Sequence, residues 1–97
     1  MTPGEVDVLF LLGTIAFSRR CLGVMAGAGI HPIDLIRRHE TGDWGALSAV
    51  EWSQNDRAVR NGNEVIASQY RFGRGLSLWV VTDANRQLTR ILLDDEY

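Results

Sequence analysis

The side chains best able to do chemistry in this chain are one histidine, His39, and one arginine, Arg86, with Thr82, Thr89 and Tyr97 as hydroxyl-bearing companions. A histidine titrates nearest neutrality and is the default general base. An arginine beside threonine hydroxyls can stabilise and orient a pentacoordinate phosphate. Taken together, these five residues could form a ribonuclease centre. Each also has a plainer reading. Asp83–Gln87 has the composition of a solvated turn, and threonine favours strands. His39 stands three and four positions from Ile36 and Leu35 at a predicted helix C-terminus, where packing or capping would account for it.

A second group could bind rather than react. Trp44 lies in a loop flanked by Gly42 and Gly45 and is expected to be partly exposed, whereas Trp52 and Trp79 fall at packing positions. Tyr70, Arg71, Phe72 and Arg74 form an aromatic and basic cluster. With Trp44 and Arg86, they are candidate anchors for a protein partner. Asn55 interrupts an apolar helical stripe between Trp52 and Val59. It is expected either to be a buried amide bonded to a neighbouring loop such as Gly42–Gly45, or to reach a cleft. No metal site is expected from one cysteine and two histidines without HExxH or CxxC spacing. No cofactor is expected either, since there is no phosphate loop and no G-x-S-x-G elbow.

Composition narrows the classes. Ninety-seven residues with 45% apolar content suit one domain with one core. The net charge of −2 excludes a strongly acidic DNA mimic and gives no general attraction to nucleic acid. All the basic residues are arginine, however. Arg57, Arg60, Arg71, Arg74, Arg86 and Arg90 outnumber the acids Asp56, Glu64 and Asp83 over the same stretch, leaving nucleic acid a possible partner of that half. A lone cysteine, Cys21, gives no internal disulfide. The longest apolar run, Val8–Leu12, is far short of the ~20 residues that span a bilayer. No basic residue precedes Val8, so a signal peptide is not expected, and the cytoplasm is.

The elements that must hold these groups follow from periodicity and punctuation. Glu5–Leu12, with Val6, Val8 and Phe10 alternating, predicts a first strand. Ser18 can cap a helix carrying Leu22, Met25 and Ala28, weakened by Gly23 and Gly27 and ended by Gly29. Pro32 opens a second helix that runs to about Glu40. Gly42–Gly45 breaks the chain. Ser48 with Glu51 predicts a capping box for a third helix, Leu47 and Trp52 a hydrophobic staple, and Gly62 its end. Strands follow at Glu64–Phe72, Leu76–Thr82 and Leu88–Leu93, joined by the short turns Gly73–Gly75 and Asp83–Gln87. The expectation is an α+β domain over residues 1–97, a helical half about 13–62 and a β half about 63–97. Its order is β-α-α-α-β-β-β, with the helices on one face of an antiparallel sheet. A helix-turn-helix regulator fits poorly, because Thr41–Leu47 is longer than that motif's turn.

Several of these residues fall in a recognisable pattern. Arg38-His39 and Gly42-Asp43-Trp44-Gly45 are followed by Asn55, Ser68, Tyr70, Trp79-Val80-Val81-Thr82 and Arg86. Thr89, Ile91, Leu92, Leu93, Glu96 and Tyr97 complete it. The chain resembles a family of small proteins carried by bacterial plasmids, phages and integrated elements. That family's pattern reads approximately R-H-x-x-G-D-W-G, then W-(I/V)-I-T-E-x-D-R-S-x-T-T-I-L-L-P-x-E-Y. The resemblance runs from about Phe10 to the C-terminus. Asp83, Asn85, Gln87, Arg90 and Asp94 depart from it, and Asn85 removes an acid from the hairpin turn. The resemblance implies a mobile-element accessory protein, and the lack of a convincing catalytic set leans against an enzyme. Such a protein would block a host nucleic-acid-targeting defence, of anti-CRISPR or anti-restriction type, by binding a host or element-encoded protein complex. The alternative, by analogy of fold order alone, is a barnase/RelE-like ribonuclease toxin using His39, Arg86, Thr82, Thr89 and Tyr97.

Overall fold

The computed structural model describes residues 8–97. Its elements run β1 (Thr14–Phe17), α1 (Arg19–Gly27), α2 (Pro32–Glu40), α3 (Ala49–Asn61), β2 (Ile66–Arg71), β3 (Ser77–Thr82) and β4 (Leu88–Leu93), closed by a short 3-10 turn at Asp94–Glu96. The fold is α+β in the order β-α-α-α-β-β-β.

α1 and α3 start where a side chain supplies a partner for a free N–H group, and α2 starts at a proline that has no N–H to satisfy. Ser18 accepts from the Cys21 N–H at 2.9 Å, and Pro32 sits at the start of α2. At α3 the capping box is complete. The Ser48 hydroxyl accepts from the Glu51 N–H, and the Glu51 carboxylate accepts from the Ser48 N–H at 3.1 Å. Gly62 ends that helix at φ 77°, which a side chain would resist.

The strands order β1-β4-β3-β2, with the β2–β3 and β3–β4 pairs antiparallel. Alternation places Ile66, Ser68, Tyr70, Leu78, Val80, Thr82, Thr89, Ile91 and Leu93 on the helix-bearing side, all buried. There Cys21 and Met25 of α1 and Leu35 and Ile36 of α2 pack on the sheet's centre. A smaller cluster, Trp44, Ala58 and Ile66, lies under α3, with Leu47 and Trp52 packed against it.

Two expectations about the first strand are corrected. Val8–Leu12 are not in a strand, and Glu5–Asp7 of that predicted element lie outside the described residues. Val8–Leu12 instead follow the end of α2. The Leu9 N–H bonds the Glu40 carbonyl at 2.9 Å, satisfying a helix-end acceptor, and Phe10 packs edge-on against His39. The strand is Thr14–Phe17, a β-branched and aromatic run beginning just after Gly13. It pairs parallel with β4, so the sheet is mixed rather than wholly antiparallel. Three helices intervene before β4, and a connection of that length permits the parallel arrangement.

Candidate functional site

Three of the polar groups singled out by their chemistry, His39, Thr82 and Thr89, do meet, joined by Ser68, but inside the molecule. His39 turns inward from the last turn of α2. Its Nδ1 lies 2.6 Å from the Ser68 hydroxyl, and its Nε2 lies 2.9 Å from Thr82 Oγ1. Thr82 Oγ1 is 2.7 Å from Thr89 Oγ1, and the Thr89 hydroxyl donates to the Leu12 carbonyl at 2.7 Å. His39, Ser68, Thr82 and Thr89 are all 0% exposed.

The hydrogens in this cluster can be assigned from its far end. A carbonyl oxygen only accepts, so Thr89 donates to Leu12. Its hydrogen is then used, and Thr82 must donate to Thr89. Thr82 therefore accepts from His39, which carries its proton on Nε2, and Ser68 donates to Nδ1. His39 is neutral. Burial, helped by the charge of Arg86, pushes its pKa down to about 3. Neither ring nitrogen is free to take a proton from a substrate. As it stands, the cluster joins α2, three strands and the segment leading into β1.

Arg86 is also turned to the backbone. Its Nη1 donates to the carbonyls of Glu64, Asp83 and Ala84 at 2.6, 3.1 and 3.2 Å, and its Nη2 donates to the Ala58 carbonyl at 3.0 Å. The guanidinium lies 5.8 Å from the centre of the Phe10 ring. The residue ties the end of α3 and the approach to β2 to the β3–β4 turn, and it holds a left-handed φ of 60° to do so. Tyr97 is on the other side of the sheet, against Trp79 with ring centroids 4.6 Å apart. The five residues of the predicted ribonuclease set are therefore divided: three in the core, one on backbone carbonyls, and Tyr97 alone well exposed.

The predicted partner-binding set divides as well. Trp44, expected to be partly exposed, is fully buried. Its Nε1 donates to Asp56 at 3.0 Å, and its ring is packed among Phe10, His39 and Trp52. Flanking glycines mark this loop for another reason. Gly45 (φ 78°) lies so close to β2 that a Cβ would come within 2.0 Å of the Gln69 carbonyl oxygen. Tyr70 is buried too, its hydroxyl donating to the Asp43 carbonyl at 2.7 Å and its ring covered by Arg38 at 4.2 Å. Arg71 and Arg74 remain exposed, and among the described residues neither makes an ion pair. Arg74 sits in the β2–β3 turn at φ 65°, on the rim of a hollow of about 460 Å³ lined by Ala28, Ile30, Phe72 and Leu76. The two hairpin turns lie at opposite ends of the sheet, which separates Arg74 from Arg86.

Asn55 is buried and bonds the strand rather than the Gly42–Gly45 turn. It donates to the Ala67 carbonyl at 2.7 Å and accepts from the Ala67 N–H at 3.2 Å. Ser68 is the participant that residue type alone did not single out as a site. The available signal was a serine between Ile66 and Tyr70 at an inward-facing strand position.

Among the described residues, no helix is long and apolar enough to cross a membrane. Comparison of the chain with protein-family models, with curated proteins and with solved structures returns no match.

Proposed function

We propose that this chain is a non-enzymatic binding protein that docks onto another protein through the Arg71 and Arg74 end of its sheet. The class of action follows the resemblance to mobile-element proteins: inhibition of a host nucleic-acid-targeting defence, of anti-CRISPR or anti-restriction type. The observation that carries the reading is the burial of His39 with both ring nitrogens bonded. With Arg86 held on backbone carbonyls, the candidate set leaves no exposed base beside an exposed phosphate-binding arginine.

The charge layout favours protein over nucleic acid as the partner. Arg90 is paired with Asp83 and Arg86 is held on backbone carbonyls, so among the described residues the β half presents Arg71 and Arg74 as neighbouring arginines without an ion pair rather than a phosphate-tracking stripe. A hollow beside Arg74, lined in part by Ala28, Ile30, Phe72 and Leu76, suits a partner segment with a hydrophobic anchor and a nearby carboxylate.

The test is a plating assay in cells that carry a nucleic-acid-targeting defence. The wild-type chain is expected to restore phage plating, and the Arg71→Glu, Arg74→Glu double variant to lose that effect while remaining folded. Unchanged plating across a panel of such defences overturns the reading. Growth arrest on induced expression, relieved by a substitution that leaves the fold intact, would instead return the ribonuclease alternative.

A further inference from the structure

The two edges of the sheet are finished differently. On β2, the backbone groups pointing away from β3 belong to Ala67, Gln69 and Arg71, as the antiparallel register dictates. Ala67 is closed by the Asn55 amide. Gln69 is closed by the loop, its N–H reaching the Trp44 carbonyl at 3.1 Å and its carbonyl receiving the Ala46 N–H at 2.7 Å. On β1, the Thr14 N–H bonds the Gln87 carbonyl at 3.0 Å. Alternation then turns Thr14 and Ala16 towards β4 and aims the N–H and C=O groups of Ile15 and Phe17 outwards. Among the described residues, nothing meets those four groups. The side chains of Ile15 and Phe17 are 41% and 38% exposed. The strand is short, at four residues, but has no charge and no proline, two of the devices that ordinarily protect an edge.

We propose that β1 is the pairing edge of a symmetric homodimer, in which two copies of this chain join their β1 strands antiparallel about a two-fold axis at Ala16. The register follows from which groups face out. Ile15 of each copy lies opposite Phe17 of the other, and each such pair exchanges both hydrogen bonds, so every outward group of β1 is satisfied. Moving the axis to Ile15 or to Phe17 pairs only one of the two residues within the strand. The side chains agree with this register, placing an aliphatic against an aromatic across the strands.

Charge does not oppose the arrangement. The strand itself carries no charge, and the cation next along the chain, Arg19, lies beyond it at the start of α1. A four-residue strand pair buries less than the roughly 800 Å² per partner of a standard interface, so the dimer is a weak, concentration-dependent one. Arg71 and Arg74 lie towards the opposite edge and stay free, so the inference does not depend on the function proposed above.

Sedimentation of the full chain from low to high micromolar concentration tests it. The mass is expected to double with concentration. Phe17→Arg is expected to hold it at the monomer, and Ile33→Arg, at another exposed apolar site, to leave it unchanged. Ala16→Cys supplies a second measurement. Residues facing each other between hydrogen-bonded pairs have Cα atoms about 4.5 Å apart, within disulfide reach. Mild oxidation should therefore yield a covalent dimer, and buried Cys21 does not compete. A chain that stays monomeric without an Ala16→Cys cross-link overturns the proposal. So does a dimer that survives Phe17→Arg, which places the interface elsewhere. Slow amide exchange at Ile15 and Phe17 in the monomer also overturns it, because the edge is then closed within one chain.

Discussion

At one edge of this sheet, side-chain and loop groups imitate a neighbouring strand at Ala67 and Gln69, while among the described residues the other ends in bare peptide groups between exposed apolar side chains. On the β2 side, Asn55 presents its carbonyl and amide in the places a strand's peptide would, and Trp44 and Ala46 continue that seal to Gln69. On the β1 side, among the described residues, the only hydrogen-bonded neighbour is β4. An edge strand of either kind is a template for pairing with another chain. The difference indicates that adventitious pairing is blocked at one edge and left available at the other. Residues chosen for their chemical reactivity largely serve the sealed side and the framework behind it.

The sharpest way to break the contrast is at Gly45. Gly45→Val places a branched side chain at a left-handed φ and against the Gln69 carbonyl, so the loop must leave β2. A loss of about 3 kcal/mol or more is expected in urea unfolding, from backbone strain and steric exclusion together. Asn55→Ala comes next. It strips Ala67 of both partners and should cost about 2 kcal/mol as unsatisfied backbone groups, with faster amide exchange confined to Ala67 and its neighbours. Exchange that stays slow in Asn55→Ala would mean that the edge is protected by something other than this amide.

A third measurement concerns His39, whose hydrogen-bonded neighbours reach from β2 to the residues preceding β1. Its folded pKa of about 3 lies below the ordinary value near 6.5. The unfolded chain therefore takes up a proton below about pH 6.5 that the folded chain refuses. Stability is complete above that point and falls by about 1.4 kcal/mol for each pH unit as acidity increases towards pH 3. Urea unfolding at pH 7, 6 and 5 checks the slope, and His39→Gln should flatten it over this range. The smallest effect belongs to the open edge. Phe17→Arg should shift monomer stability by no more than about 0.5 kcal/mol, because the residue is a third exposed and contributes to no buried cluster. A much larger loss would mean that β1 needs Phe17 for folding.

Much of this architecture is legible along the chain. Ser48, Glu51 and Gly62 bound α3 by side chains that answer its own backbone, and Leu88–Leu93 alternates cleanly. Local signals of that kind survive folding. The first strand was not legible, because Val8 and Phe10 alternate as a strand does, yet their neighbourhood supplies a helix end rather than a pairing partner. Choosing between that stretch and the short Thr14–Phe17 run requires knowing where β4 lies. The orientation of the candidate side chains was illegible for a related reason. Residue type reveals that His39, Arg86, Thr82 and Thr89 can exchange or bind protons and anions, but not which way they point. Trp44 misled in the same way, since flanking glycines mark a mobile loop and a tightly approached one alike. Here Gly45 marks close approach.

A row of hydroxyls and an imidazole ordinarily conducts: each group hands one hydrogen forward and receives another, and the row resets by turning every rotor round. Ser68, His39, Thr82 and Thr89 cannot reset, because the last acceptor is a peptide oxygen at Leu12 with no hydrogen to return. The arrangement is an insulator that looks like a wire. It freezes the imidazole in a single tautomer, and its nitrogen resonances should report one fixed form for as long as the fold persists.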